Sequence, residues 1–251
     1  MSDFDRVNPV AKLAAALLLS LFLIVTVDWV SSTVALVLEF VAFASVRLPA
    51  RRFFARTAAV WIAAPLTGLT IALYGQPSGR VYAEFLLARV SDGSITLAIA
   101  TVLRVLAIGL PAVVLFSTVD PTALADGLAQ QLRLPARFVL GALAGLRLVG
   151  LLGDDWRSLA LARRARGIGD GGRLAVLGGR VFALLVLAIR RGTKLATAME
   201  ARGFGSPVVR TWARASVWGR REWAVTAAGA VIGGVALATT IATGQVNFIV
   251  G

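Results

Sequence analysis

Five long apolar runs constrain the fold of this chain more than any other feature of its sequence. A helix that crosses a bilayer needs about 20 mostly apolar residues. Runs close to that length cover residues 10–27, 29–46, 58–74, 95–118 and 223–243. The chain is 58% hydrophobic, whereas soluble domains contain roughly 45–50% apolar residues. We therefore predict an all-α, polytopic membrane protein with about five transmembrane helices.

The charges between these runs predict how the chain crosses the membrane. Residues 47–57 carry four arginines and no acid, and short basic loops of this kind remain in the cytoplasm. The N-terminus is then cytoplasmic as well. Residues 75–94 mix both signs of charge and are expected outside, with a short surface helix within residues 81–90. Lys12, near the start of the first run, is expected to extend its amine to the interface.

The composition changes between residues 119 and 222. This region has 17 basic and seven acidic residues and so holds ten of the 13 net positive charges. The positive-inside rule assigns it to the cytoplasm. We accordingly divide the chain into N-terminal transmembrane helices (1–118), a cytoplasmic region (119–222) and a C-terminal transmembrane helix with its tail (223–251).

Three helices are predicted within the cytoplasmic region, the first of them short. Asp120 or Thr122 can cap that helix, and Pro121 suits its first turn. Two long, basic, amphipathic helices follow over residues 135–166 and 173–202, and such helices lie along a membrane surface. The apolar residues 138–152 leave open an alternative in which the first long helix dips across the bilayer.

Both long helices end in the same short sequence. Residues 159–169 and 195–205 share the pattern Leu-Ala-x-Ala-x-x-Ala-Arg-Gly-apolar-Gly, 36 residues apart. A glycine directly after a helix closes its C-terminus, and an arginine in the last turn meets the negative end of the helix dipole. One copy alone is an ordinary helix end, but two copies on two basic helices indicate a shared task. The candidate functional residues are Ala165, Arg166, Gly167, Ala201, Arg202 and Gly203.

The sequence gives little support to an enzyme. It has no cysteine and no histidine, which removes thiol nucleophiles, histidine bases and Cys/His zinc sites. Neither Lys12 nor Lys194 follows a glycine, so there is no phosphate-binding GxxxxGK[ST] loop and no ATPase site. We expect no cofactor and no metal site. We attribute the excess of basic residues to the positive-inside rule and not to nucleic-acid binding.

Two charged residues fall at membrane depth, Glu39 in the second apolar run and Arg104 in the fourth. A charge in the hydrocarbon region is costly and usually faces a partner or the protein interior. Depth and sign make Glu39 and Arg104 candidates for an intramembrane pair. The alternative is that each side chain reaches the interface separately. Gly141 and Gly145, in the first long helix, are spaced for close packing by another helix.

The chain resembles a known family of membrane proteins over nearly its whole length. Its opening, Asp5-Arg6-x-Asn8-Pro9-x-Ala11-Lys12-Leu13, and its mid-chain Thr118-Val119-Asp120-Pro121 with Leu134-Pro135 are similar to motifs of that family. The paired Ala-Arg-Gly copies are the most specific mark. The family is the transmembrane T component of energy-coupling factor (ECF) transporters, a branch of the ABC importers.

This resemblance implies a non-catalytic scaffold in the bacterial plasma membrane. Such a T component joins two cytoplasmic ATPase subunits, which bind the ATP, to a separate substrate-binding membrane protein, the S component. Arg166 and Arg202 would each occupy a groove of one ATPase and act as the coupling contacts. Because the S component determines the cargo, biotin, cobalt or nickel, and thiamine-type vitamins remain open.

A small self-sufficient permease is the alternative function. It fits the hydropathy but leaves the large basic region and its repeated helix ends unexplained. An intramembrane enzyme would need a reactive cluster, and only Asp28, Glu39 and Arg104 lie near membrane depth.

Overall fold

The computed structural model describes residues 7–25, 28–45, 50–75, 78–85, 88–167, 172–206 and 211–244. Within them the chain forms eight α-helices and one β-hairpin. These elements are α1 (Pro9–Val25), α2 (Trp29–Ser45), α3 (Ala50–Tyr74), β1 (Val81–Phe85), β2 (Ala88–Ser91), α4 (Asp92–Phe116), α5 (Pro121–Gln130), α6 (Ala136–Ala165), α7 (Arg173–Ala201) and α8 (Arg220–Ala242). Several residues of the sequence motifs lie outside the described residues, namely Asp5, Arg6, Arg47, Ile168 and Gly169.

Apolar helices make this chain a multi-pass membrane protein. In the described part of the chain, four helical segments are long and apolar enough to cross a bilayer: Phe53–Tyr74 of α3, α4, α6 and α8. The helices α1 and α2 are apolar but shorter, at 17 residues each. Because α6 is among the four, the alternative in which residues 138–152 cross the bilayer is compatible with its composition.

From Ala50 onward, the basic segment before the third apolar run is helical, although the sequence predicted a loop over residues 47–57. The helix α3 begins at Ala50, so Arg51 and Arg56 belong to its first two turns. Arg56 donates from Nη1 to Oγ of Ser117 at 3.0 Å. Alanine and arginine both favour helix, and a 25-residue helix is longer than the hydrocarbon region requires.

A β-hairpin replaces the surface helix predicted within residues 81–90. Its strands, β1 and β2, pair in antiparallel register. The prediction was wrong because β-branched and aromatic residues, which are frequent in this segment, favour strands. The hydroxyl of Tyr82 donates to the carboxylate of Asp92 at 2.8 Å. This hydrogen bond raises the pKa of Tyr82, since losing the phenolic proton would place two negative charges together.

The predicted start of the short helix α5 is confirmed. Pro121 is its first residue, and the carboxylate of Asp120 accepts a hydrogen bond from the Ala123 N–H at 3.1 Å. This is the contact that an N-cap residue makes with the first unpaired N–H groups of a helix.

The chain divides into two compact units. The first comprises Met1–Leu124 and Ser216–Gly251, and the second comprises Ala125–Ala215. The helices α1 to α4 and α8 belong to the first unit, α6 and α7 belong to the second, and α5 runs across the division.

Glycines let the helices of the first unit approach closely. A Cβ atom on Gly229 of α8 would lie 2.4 Å from the carbonyl oxygen of Ala15 on α1. One turn later, a Cβ on Gly233 would lie 2.8 Å from the ring of Phe22. Glycines spaced by four residues permit such contacts between membrane helices. The buried core around them includes Leu19, Leu23, Leu36, Leu106, Leu110 and Ala236.

Asn8, directly before α1, ties the start of that helix to the start of α8. Its Nδ2 donates to Oγ of Ser216 at 2.8 Å and to the carbonyl of Val217 at 3.1 Å. Its backbone N–H donates to Glu222 at 3.2 Å, and its Oδ1 accepts from the Val10 N–H at 3.0 Å. This asparagine of the opening motif therefore caps one helix and holds another.

The second unit has a smaller core. Ala125 and Ala129 of α5 pack against Val139 near the start of α6. The side-chain amide of Gln130 donates to the carbonyl of Arg214 at 2.8 Å, which fixes the segment that follows α7 to the end of α5.

Candidate functional site at two helix ends

The two repeated sequences form helix ends of the same shape. The helices α6 and α7 each end at the alanine of the motif, and the arginine that follows has φ −92° at Arg166 and −91° at Arg202. The next residue lies in the left-handed region, with φ +68° at Gly167 and +79° at Gly203. A residue with a side chain is strained in that region, which explains why both copies place glycine there.

Backbone hydrogen bonds close both ends. The N–H of the motif glycine donates to the carbonyl three residues earlier, at 3.0 Å for Gly167 and 2.9 Å for Gly203. At the second end, the Phe204 N–H also donates to the Met199 carbonyl at 3.0 Å, which completes a Schellman motif. Because these contacts use backbone groups alone, they leave the arginine side chains available.

The motif side chains are turned to the surface. Both alanines, both arginines and both glycines are exposed. Among the described residues, Arg166 and Arg202 have no hydrogen-bonding side chain or carboxylate as a partner. An arginine carries five N–H donors and a permanent charge, so each end presents an unused donor group for another molecule.

An ion pair joins the two long helices at equivalent points of the repeat. Arg191 of α7 donates from Nη2 to Oδ1 of Asp155 on α6 at 2.8 Å, and its Nη1 contacts Oδ2. Asp155 precedes Arg166 by 11 residues, and Arg191 precedes Arg202 by the same number. The sequence interpretation did not identify this pair, although its two members are also 36 residues apart.

The two helices run antiparallel through this ion pair. Gly179, which precedes the pair on α7, lies against the guanidinium of Arg163, which follows the pair on α6. Conversely, residues 195–204 and residues 140–151 line one groove. The two arginine ends therefore extend on opposite sides of the ion pair. At a rise of about 1.5 Å per residue, the two ends are separated by about 33 Å as measured along the helix axes.

The groove between α6 and α7 combines apolar walls with basic side chains. Its volume is about 560 Å³. It is lined by leucines and Met199 together with Arg147, Arg191 and Arg202. The second arginine end thus forms one wall of an apolar groove.

Large apolar side chains are exposed on both long helices. They include Phe138, Leu146, Val149, Phe182, Leu185 and Ile189. Contiguous apolar surface of this kind is typical of contacts with lipid or another protein. A Cβ atom on Gly141 or Gly145 would meet nothing within 4 Å in the described part of the chain, so the close packing for which they are spaced has no partner there.

Glu39 and Arg104, the candidate intramembrane pair, are not brought together. Arg104 donates from Nη2 to the carbonyl of Leu23 at 2.6 Å, and the acid whose charge acts on it is Asp28. Glu39 is 2% exposed, yet neither of its carboxylate oxygens has a hydrogen-bond partner among the described residues.

Asp28 and Lys12 have structural roles that the sequence interpretation missed. Asp28 accepts hydrogen bonds from the N–H and Oγ of Ser31, both at 2.6 Å, and from Oγ1 of Thr240 at 2.8 Å. It caps α2 and links α2 to α8. The sequence signal that could have predicted this cap is an Asp three residues before a Ser.

Lys12 is 1% exposed and donates from Nζ to Oγ1 of Thr118 at 2.8 Å. The prediction that its amine extends to the interface is therefore wrong.

The chemistry that this arrangement can perform is binding. No group of three or more acidic residues that could hold a metal ion occurs in the described ranges. The two arginine ends offer fixed donors, and the groove and outer faces of α6 and α7 offer apolar contact area. Such features suit docking to other proteins more than a reaction at this chain.

Known proteins are similar to this chain over much of its length. A family model described as CbiQ, cobalt transport protein, matches residues 3–211. The energy-coupling factor transporter transmembrane protein EcfT of Bacillus selenitireducens is 29% identical over 238 residues, which cover 90% of this chain and 88% of that protein. The protein of the same name from Limosilactobacillus fermentum is 30% identical over 169 residues, 62% of this chain and 63% of that protein.

Proposed function

Since this chain belongs to the CbiQ family and is similar over most of its length to EcfT, the T component of ECF transporters, we propose that it joins two ATPase subunits to a separate S component. The observation that carries this proposal is the pair of exposed arginine ends on opposite sides of the α6–α7 ion pair. One docking contact would need one such end. Two ends of the same shape fit two partners of the same kind.

Each arginine end is suited to a groove on an ATPase subunit. The guanidinium offers a rigid set of donors for carboxylates and backbone carbonyls. The glycine after it ends the helix and adds no side chain, so the tip can enter a narrow groove. The alanine before the arginine has a small side chain, so the last turn of each helix is narrow. ATP is bound and hydrolysed by these partners, and the T component itself is not an enzyme.

Movement of the ATPases would be transmitted through α6 and α7. These helices have 30 and 29 residues, and the Asp155–Arg191 pair fixes one against the other. When ATP draws the two ATPases together, both ends are displaced at once, and the helix pair responds as a whole. That response is how ATP hydrolysis would drive uptake.

The apolar surface of α6 and α7 is the proposed contact for the S component and the bilayer. Phe138, Val149, Phe182 and Ile189 are all more than half exposed, and Gly141 and Gly145 allow a close approach. The basic charge of the same region supports a cytoplasmic position for it and for the N-terminus. We place the protein in the bacterial plasma membrane.

The proposed cargo is a vitamin or a transition-metal ion. The matching family model is described as a cobalt transport protein, which supports a metal ion such as cobalt, while biotin and thiamine-type vitamins fit the wider class. The S component would select among them, because the cargo need not contact this chain.

The test is co-purification and uptake with both arginine ends reversed in charge. The tagged chain is purified from its native membrane, and the accompanying proteins are identified. We expect the wild type to bring ABC ATPases and a small membrane protein, and Arg166→Glu/Arg202→Glu to lose the ATPases and abolish uptake. The charge at each end is reversed, so acidic groups in the partner grooves would repel it.

A matched control separates position from charge. Arg157→Glu/Arg190→Glu changes the net charge equally at two exposed arginines of α6 and α7 that are not at the ends, and it should retain both partners and uptake. Normal uptake by the Arg166/Arg202 double variant would contradict the proposal. Transport by the wild-type chain with no accompanying ATPase would favour a self-sufficient permease.

A further inference from the structure

A cavity with an unpartnered carboxylate lies inside the first unit. Its volume is about 270 Å³, and α1, α2, α4 and α8 form its walls. Glu39 of α2 lines it while being only 2% exposed, and both of its carboxylate oxygens lack a hydrogen-bond partner among the described residues. The scaffold function proposed above gives this carboxylate no task.

The other walls of the cavity are apolar. They are formed by alanine, leucine, valine, isoleucine, proline and glycine residues and by the ring of Phe43. Glu39 is the one ionisable side chain among these lining residues. A bare divalent metal ion needs about six oxygen ligands, which this lining does not supply. The cavity instead fits an ion that needs one anionic hydrogen-bond acceptor and otherwise apolar surroundings.

We propose that this cavity binds a lipophilic ammonium ion, whose nitrogen donates to the carboxylate of Glu39 and whose hydrocarbon part fills the apolar space. A carboxylate enclosed by apolar walls is strongly destabilised unless it takes up a proton or a cation accompanies it. Phe43 is also among the lining residues, and aromatic rings attract ammonium groups. An apolar cavity of about 150 Å³ accommodates benzene, so this larger cavity has room for a substituted ring with an aminomethyl group.

The cations of the neighbouring helices have other partners. Lys12 of α1 donates to Thr118, and Arg104 of α4 donates to the Leu23 carbonyl. The cavity also has a side open to a ligand from the bilayer, because Ala224 and Ala228 of α8 line it and are exposed. A ligand that enters there must be soluble in hydrocarbon apart from its charged nitrogen.

Photolabelling of the full chain tests the proposal. The purified protein in phosphatidylcholine nanodiscs is irradiated with benzylamine that carries a trifluoromethyl diazirine, and the labelled peptides are identified by mass spectrometry. The benzyl alcohol with the same diazirine is the neutral control. We expect the amine to label the cavity-lining segments of α1, α2 and α8 at least tenfold more than the alcohol does, and unlabelled benzylamine to compete.

Two variants assign that labelling to the cavity. Glu39→Gln removes the charge with little change of shape and should reduce amine labelling to the level of the alcohol. Ala228→Leu keeps Glu39 and fills the open side of the cavity, so it should reduce labelling by both probes. This second variant keeps the proposal testable if Glu39→Gln does not fold. Equal labelling by amine and alcohol in the wild type, or unchanged amine labelling in either variant, overturns the proposal. Because no ATPase takes part, the outcome is independent of the scaffold function.

Discussion

Single residues decide the shape of the two arginine ends. Gly167 and Gly203 have positive φ angles, and each directly follows an exposed arginine. The backbone conformation of these glycines sets the direction of the chain after the arginine. It also sets how accessible the guanidinium is to another molecule. Gly192, in the interior of α7, has neither constraint: its φ is ordinary, and a Cβ there would meet nothing within 4 Å of the described structure.

We predict opposite effects for two glycine-to-alanine changes, one inside α7 and one directly after its C-terminal arginine. Gly203→Ala should destabilise the helix end by about 1–2 kcal/mol, because alanine is strained at positive φ. Gly192→Ala should stabilise the helix by about 0.5–1 kcal/mol, since alanine is the better residue in a helix interior. Amide hydrogen exchange of residues 199–206 measures the first effect and exchange of residues 186–196 the second. Increased protection at the end in Gly203→Ala would disprove the assignment of a strained site.

Among the helices, α6 and α7 are joined by an ion pair. Asp155 and Arg191 form an ion pair in which the arginine side chain is 39% exposed and the aspartate side chain 15% exposed. The partial burial makes the pair more effective than a fully solvated one. The pair lies midway in sequence between the two arginine ends, so it joins the helices at the centre of the repeat.

We predict that charge exchange at this contact rescues what a single reversal damages. Asp155→Arg alone places two arginines together and should destabilise the second unit by about 1–2 kcal/mol and reduce uptake. Asp155→Arg/Arg191→Asp restores opposite charges and should recover most of both. Uptake by the reconstituted transporter and thermal unfolding provide the measurements. A double variant that is no better than the single one would show that the ion pair does not set the helix arrangement.

Helix packing in the first unit depends instead on two glycines of α8, Gly229 and Gly233. Gly229→Leu should destabilise the protein by about 1–3 kcal/mol, because its side chain would overlap the backbone of Ala15 on α1. Gly234→Leu is the matched control, since a Cβ there meets nothing within 4 Å among the described residues. The melting temperatures of the two variants in detergent give the comparison. Equal melting temperatures would mean that α1 and α8 can separate at little cost.

The helices could largely be predicted from the sequence, because hydropathy and glycine-based helix ends are local signals. Residues 135–166 and 173–202 were predicted within one residue of α6 and α7. The hairpin at residues 81–91 was missed, because a short mixed-charge segment has no clear periodicity and its strands depend on pairing with each other. The start of α3 was missed because arginine was read only as a topology signal.

For the whole molecule, the sequence pattern predicted which residues belong to the candidate site but not how they are arranged in space. Arg166 and Arg202 are evident from the repeat, but the antiparallel crossing at Asp155 and Arg191 requires tertiary structure. Glu39 was noticed for its depth, whereas its cavity depends on four helices that are distant in sequence. Depth and opposite charge suggested Arg104 as its partner, but neither indicates the direction in which a side chain points.

The crossing of α6 and α7 also has a consequence for symmetry. Two helices that repeat after 36 residues and contact each other antiparallel at equivalent positions, Asp155 and Arg191, have the arrangement that a local two-fold axis would produce. That axis matches the symmetry of a dimer of identical subunits. The side chains near the two ends differ, because Arg163 and Arg164 precede one arginine end while Met199 and Glu200 precede the other. For the two ATPase subunits proposed above, this arrangement would offer the same backbone shape to each subunit but a different local charge.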